Sequence, residues 1–384
     1  MNSSVMRGRD IGLAILLAAI AAGSIGGLVY NVFPLYMGPL QDSTGLSNSQ
    51  IGFIAGAFFL GTNLTGISAF FWVRSASLMY IALVTTLSLI LFLLLAARID
   101  SFILQLVITS LIGAASGALY AISTTLIGGT RNTPRWFGIK FTVECLAGAI
   151  LLFVLPVTLI PGLGFTGVVI GMVLMILVFA PVLAFISRRR LPEQEEASPI
   201  TAIGAENTRL PVWLALASLV FYFIGASAIW TFLERLATDN QFDPSATGLM
   251  LGITLLFAVI GSALTGVTGD RFGNFPPYIV YSIMLVAGVL LLCLTDNFIV
   301  FSIGAYAFML AWSASDGYQY AIVADVDPDG RHIVLAVPAM GVGSMIGPIL
   351  AGYLYSEGTT AWLFIMVLVT IAIAVLLART SSSE

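Results

Sequence analysis

The chain has 384 residues, 59% of them hydrophobic and only 9% charged, with a formal net charge of −4 and a mean hydropathy of +1.04. A soluble domain carries roughly 25% charged residues, so the composition excludes a water-soluble fold and describes a protein that crosses a bilayer many times. One histidine and two cysteines, Cys145 and Cys293 in apolar runs, give little material for a metal site or a disulfide framework. The acidic balance suggests no nucleic-acid partner, and no cofactor is expected.

In chain order, a short polar start over residues 1–10 leads into an apolar run too long for a cleaved signal peptide. Apolar runs then fall near 11–38, 48–72, 76–97, 101–128, 136–158, 164–187, 211–236, 245–268, 275–295, 298–324, 332–355 and 359–378. A hydrocarbon layer of ~30 Å needs about 20 apolar residues per helix. The runs therefore predict twelve transmembrane helices and an all-α integral membrane fold. Two helix starts are legible. Ser47 and Gln50 have the spacing of a capping box, and Asp243 is an N-cap followed by Pro244 at the first helical position. The longest polar stretch contains Arg188, Arg189, Arg190, Glu193, Glu195, Glu196 and Glu206. It predicts a linker over 188–209 between six-helix bundles at 1–187 and 210–384.

Basic residues set the orientation. With both termini in the cytoplasm, thirteen of the 15 basic residues lie on that side, Arg7, Arg74, Arg131, Arg188 and Arg331 among them; Arg98 and Arg235 lie opposite. This predicts a multi-pass protein of the cell (inner or plasma) membrane. The halves also repeat. Ser47 and Asp243, Asp100 and Asp296, and Arg135 and Arg331 are each 196 residues apart and open corresponding runs. Two bundles in the same orientation form a parallel repeat.

Between the eighth and ninth runs lies Gly266-Val267-Thr268-Gly269-Asp270-Arg271-Phe272-Gly273. Gly269 and Gly273 allow a tight reversal, and Asp270 and Arg271 hold it at the water boundary. This Gly-x-x-x-Asp-Arg-x-Gly pattern, with twelve runs in two similar halves, resembles the signature loop of the major facilitator superfamily. The corresponding turn of the first half has Phe70-Phe71 instead. Gly343, Gly347 and Pro348 in the eleventh run resemble the Gly-Pro motif that antiporters of that family carry in helix five.

The resemblance implies that helices one, four, seven and ten line a central cavity, and that helices two, five, eight and eleven join the halves. It also gives Asp270 a task in closing the cytoplasmic gate, against a helix N-terminus where the macrodipole favours negative charge. Charged groups inside a bilayer are functional suspects by default. Glu144 and Asp316 are such groups. Lys140, the only lysine, stands one turn before Glu144, at ion-pair spacing. Met340 and Tyr120 occupy the repeat positions of Glu144 and Asp316, so the fold itself does not require either acid. Tyr30, Phe33, Tyr120, Trp230, Trp312, Tyr318 and Gln319 are the expected cavity residues. Glu234 and Arg235, near the outer end of the seventh run, read either as an interfacial ion pair or as an outer gate or substrate contact, with Asn31 in the outer half of helix one as a further ligand contact.

The expected function is secondary transport of a small organic solute by alternating access, with Asp316, Glu144 and Lys140 in proton coupling. Few basic, Asn or Gln groups in the cavity helices disfavour polyanions and sugars. This leaves proton-coupled export of a neutral or cationic amphiphile by a monomer in the lipid bilayer. Import of a small solute, or a receptor or scaffold without transport, are the alternatives. No nucleophile–base pair points to an enzyme.

Overall fold

The computed structural model describes residues 12–73, 76–128, 130, 133–186, 209–269, 271–293, 295–327, 332–355 and 360–382. Asp270, Arg7, Arg74, Arg131, Arg331 and linker residues 188–208 lie outside these ranges. Among the described residues, twelve helices are long and apolar enough to cross a membrane.

The first half runs α1 (Leu13–Asn31), α2 (Phe33–Thr44), α3 (Asn48–Trp72), α4 (Leu78–Ala96), α5 (Phe102–Gly128), α6 (Thr133–Val154), α7 (Ile160–Leu163) and α8 (Phe165–Phe179). The second runs α9 (Arg209–Asp239), α10 (Pro244–Thr268), α11 (Phe275–Cys293), α12 (Phe298–Asp325), α13 (Ala336–Leu354) and α14 (Ala361–Ser382). Helix α9 already begins at Arg209, the last residue of the expected linker. Both expected starts are present. Ser47 accepts from the Gln50 amide while Gln50 accepts from the Ser47 amide, and Asp243 accepts from the Ala246 amide at 2.8 Å.

One boundary differs from the expected run. The first span does not end near residue 38. It breaks after Asn31 and continues as α2 to Thr44. Pro34 explains the break. It has no N–H to give the Tyr30 carbonyl four residues back, and its ring crowds that carbonyl. The freed carbonyl accepts instead from Trp230 Nε1 of α9 at 3.0 Å. A defect in one half thus becomes a contact with the other.

Each half closes on its own core, through α1, α3, α4, α5 and α6 in the first and α9 to α14 in the second. The halves meet along α3 with α13 and α6 with α10, the pairing the family resemblance implies, and also along α2 with α9. These contacts lie mostly at the end of the bundle away from the chain termini. There, backbone comes close to backbone at Gly52 and Pro348 and at Asn48 and Gly352, while Gly252 of α10 packs on the Phe153 ring of α6. Nearest the terminal end is Gly341 against Asn63 among these glycine contacts of the described residues.

Candidate functional site between the halves

The wall of the first half is built on an ion pair. Lys140 Nζ lies 2.6 Å from Glu144 Oε1, with both side chains buried. A cation one turn before an anion is geometrically favoured on a helix, but burial of two charges is costly unless other groups complete their shells. Tyr120 of α5 does so, with Lys140 Nζ 3.6 Å from its ring centroid, a cation–π arrangement. Helix α1 covers the pair at Gly23, where an added Cβ would meet Lys140 Cε at 2.6 Å and Ser123 Oγ at 2.7 Å. Ser123 itself donates to the Ala19 carbonyl at 2.6 Å. Asn31, at the break, donates to the Glu144 carbonyl at 3.1 Å. Since the first span runs on to Thr44, Asn31 stands just past its middle, where it ties α1 to α6.

The wall of the second half carries an acid with no counter-charge on its own helix. Trp312, Ser315, Asp316 and Gln319 share one face of α12 by their helical spacing. Among the described residues, Trp312 Nε1, Asp316 Oδ1 and both carboxamide atoms of Gln319 are buried without a hydrogen-bond partner, while Ser315 faces the Tyr222 hydroxyl of α9. Buried polar groups are nearly always paired, so a stripe of orphans is a place prepared for something else. Trp312 meets Tyr30 edge-on at 6.5 Å and Phe223 at 5.8 Å. Tyr30 lies within electrostatic range of both Asp316 and Tyr120, so it stands between the two walls. Tyr30, Tyr120, Trp230, Trp312, Gln319, Lys140, Glu144 and Asp316 thus come together near the middle of the bundle.

Other expected cavity residues do not join them. Phe33 is fully buried against Phe58 at 5.3 Å and Phe59 at 5.5 Å, so it is a packing residue. Tyr318 points to the other side of α12. Its hydroxyl meets Thr268 at 2.7 Å and donates to the Gly269 carbonyl at 3.3 Å. It therefore anchors the signature turn, whose Gly269 and Gly273 have φ of 53° and 73°. Gly266 faces open space and Arg271 is exposed. Gly343 and Gly347 set α13 directly against the α9 backbone at Val220 and Ile224, a small-residue packing stripe, and Pro348 reaches Gly52 of α3.

At the sealed end Glu234 and Arg235 do not pair with each other, which corrects that reading. Arg235 bridges to Asp42 of α2 at 2.9 Å and to Asp239 at 3.2 Å. Adjacent residues on a helix point about 100° apart, which sends Glu234 elsewhere, to accept from Thr238 at 3.0 Å. The Tyr355 hydroxyl donates to Asp239, and Asn48 donates to the Tyr355 carbonyl at 2.9 Å. Asp42, Asn48, Arg235 and Tyr355 border a cavity of about 640 Å³ at this end. Asp42, Asp239 and Tyr355 were missing from the expected set. The opposite charges at the ends of their runs were the only available signal.

Residues 214–382 match the family model of the Major Facilitator Superfamily. No curated protein matches the sequence. Among solved structures, the fold is similar to a bacterial homolog of the human lysosomal transporter Spinster in an inward-facing, unoccupied conformation (TM-score 0.69, 15% identity, 95% of this chain and 96% of that one). It is also similar to the nucleoside transporter NupG (TM-score 0.68, 14% identity, 97% and 99%) and to a mutant of it (TM-score 0.76, 12% identity, 96% and 99%). Over its second half the chain matches that family model, and the whole chain shares the fold of these solved transporters. The twelve apolar helices of the described residues make it a multi-pass membrane protein.

Proposed function

We propose secondary transport of a small organic solute by alternating access, in the form of proton-coupled export of a neutral or cationic amphiphile. The observation that carries this reading is Asp316, whose Oδ1 is buried without a partner beside the aromatic wall of Tyr30 and Trp312. An unpaired carboxylate in a membrane interior is costly. Water, a proton or a cationic solute relieves that cost, and these compete for the same oxygen. Glu144 is the secondary site, held charged by Lys140. Both termini face the cytoplasm in this reading, the domains divide at 1–187, 188–209 and 210–384, and Asp270 closes the cytoplasmic gate. The end sealed here is then the outer one, and the conformation is inward-facing. The protein acts as a monomer in the cell membrane.

Uptake and efflux in proteoliposomes, with and without a pH gradient, test the assignment. Asp316→Asn mimics the protonated acid. It should abolish accumulation driven by the gradient and leave solute exchange measurable, while Glu144→Gln weakens coupling less. Normal accumulation by Asp316→Asn would leave the acid a structural role only.

A second reading has its own observation. Both carboxamide atoms of Gln319 are unpaired, and a carboxamide matches the donor–acceptor edge of an amide or nitrogen heterocycle. With Trp312 and Tyr30 supplying ring faces, import of a planar solute such as a nucleoside by proton symport fits the same cavity. The sign of the proton flux that accompanies uptake separates the two readings.

A further inference from the structure

The sealed end holds more negative groups than it neutralises. Asp42 comes from α2, and Glu234, Arg235 and Asp239 from α9. Among the described residues, the end of α13 adds the Tyr355 hydroxyl, already given to Asp239. Arg235, the one cation of the cluster, is engaged by Asp42 and Asp239. Glu234 is the third carboxyl. Its Oε1 takes the Thr238 hydroxyl, and its Oε2 is buried with no donor among the described residues.

Gly38 of α2 explains the burial. A Cβ placed there would overlap the Glu234 carboxyl, so closing the seam lays the bare backbone of the first half on this group. Glu234 Oε2 is left without a donor among the described residues, while Oε1 keeps only the Thr238 hydroxyl, and burying a carboxylate oxygen without a donor is unfavourable. When the seam parts, the same carboxyl meets the outer medium and is solvated.

We propose that Glu234 is a proton-binding site of the outer seam: closure of α2 onto α9 requires one proton from the outer medium on Glu234 Oε2, and parting of the seam releases it. The step is a plain protonation of a carboxylate by the solvent. It rests on the alternating-access reading and adds to it a second acid, distant from Asp316, that ties the gate to pH on one side of the membrane.

Spin labels at Ser43→Cys and Ser245→Cys, exposed residues on the two sides of the seam, report its opening in full-length protein in nanodiscs. Cys145→Ser and Cys293→Ser provide the background. Raising the pH from about 5.5 to about 8.5 spans the titration of a buried carboxyl, and the long-distance population should grow severalfold. Glu234→Gln should remove this response and hold the short distance, while Glu234→Asp should retain it. Gly38→Ala should populate the long distance at every pH. The proposal is overturned if Glu234→Gln responds to pH like the parent, or if Asp316→Asn abolishes the response with Glu234 intact. A distance that Gly38→Ala moves but pH does not overturns the proton site alone. A distance that nothing moves overturns alternating access at this seam as well.

Discussion

The two walls of the central site answer the same problem in opposite ways. In the first half Glu144 has Lys140 at 2.6 Å, and the cation has the Tyr120 ring. In the second half Asp316 has no partner for Oδ1 among the described residues. Sequence repeat sharpens the contrast, since Tyr120 and Asp316 hold equivalent positions 196 residues apart. The position that braces a cation in one half carries a bare acid in the other. A paired acid gives up its charge less readily, whereas an unpaired one answers more freely to its surroundings. The comparison thus separates a scaffold from a responsive group within one pseudo-symmetric frame.

Removing the lysine should break the comparison most severely. Lys140→Met leaves Glu144 buried without its counter-ion, and breaking a buried pair typically costs about 3–5 kcal/mol. Denaturant or thermal unfolding in detergent measures it. Adding Glu144→Gln to Lys140→Met should recover most of the loss, because the uncompensated charge is gone. If the single variant is as stable as the parent, the first wall is no scaffold.

A smaller effect is expected where the walls are joined. Trp230→Phe removes the donor to the Tyr30 carbonyl, which Pro34 leaves without its helical partner. A net loss of about 1 kcal/mol is typical of one such bond. That shift should raise the long-distance population of the seam labels severalfold. An unchanged distribution would mean that water replaces the indole without penalty.

The smallest effect lies outside the membrane, where the second half does pair an acid. Burial works to raise Asp327, but the His332 ring at 3.1 Å and the amides of Ile333 and His332 outweigh it and hold the carboxyl below its usual range. Trp213 packs on the His332 ring. A carboxyl lowered in the folded state adds stability above its unfolded pKa and loses it as pH falls through the folded value. The window therefore opens below about pH 4. Asp327→Asn should cost about 1 kcal/mol at neutral pH after discounting for nearby water. The gap between parent and variant should narrow in acid. A gap constant with pH would assign the contact to packing.

Much of the fold was legible because its signals are local. Run length follows from bilayer thickness, the Ser47 and Asp243 caps follow from side-chain reach within one turn, and the signature turn follows from glycines at positive φ. The acids of the site were legible for the same reason, since a charge in an apolar run stands out in one dimension. The break after Asn31 was also written locally, in Pro34, but apolar composition runs straight through it.

Partnership was not legible. Sequence places Glu234 beside Arg235, yet Arg235 bridges to Asp42, 193 residues away. Tyr318 and Gln319 are neighbours in an aromatic, polar stretch, yet one anchors the signature turn and the other faces the orphan stripe. Asn31 reached across to α6 rather than outward. Sequence by itself determined the twelve spans, their repeat and the chemistry carried into the membrane, because hydropathy and helix caps act over a few residues. Only the tertiary structure decided which groups share a shell. A helix turns about 100° per residue, so which side chains meet depends on the rotation of each span and on the close approach of its neighbours.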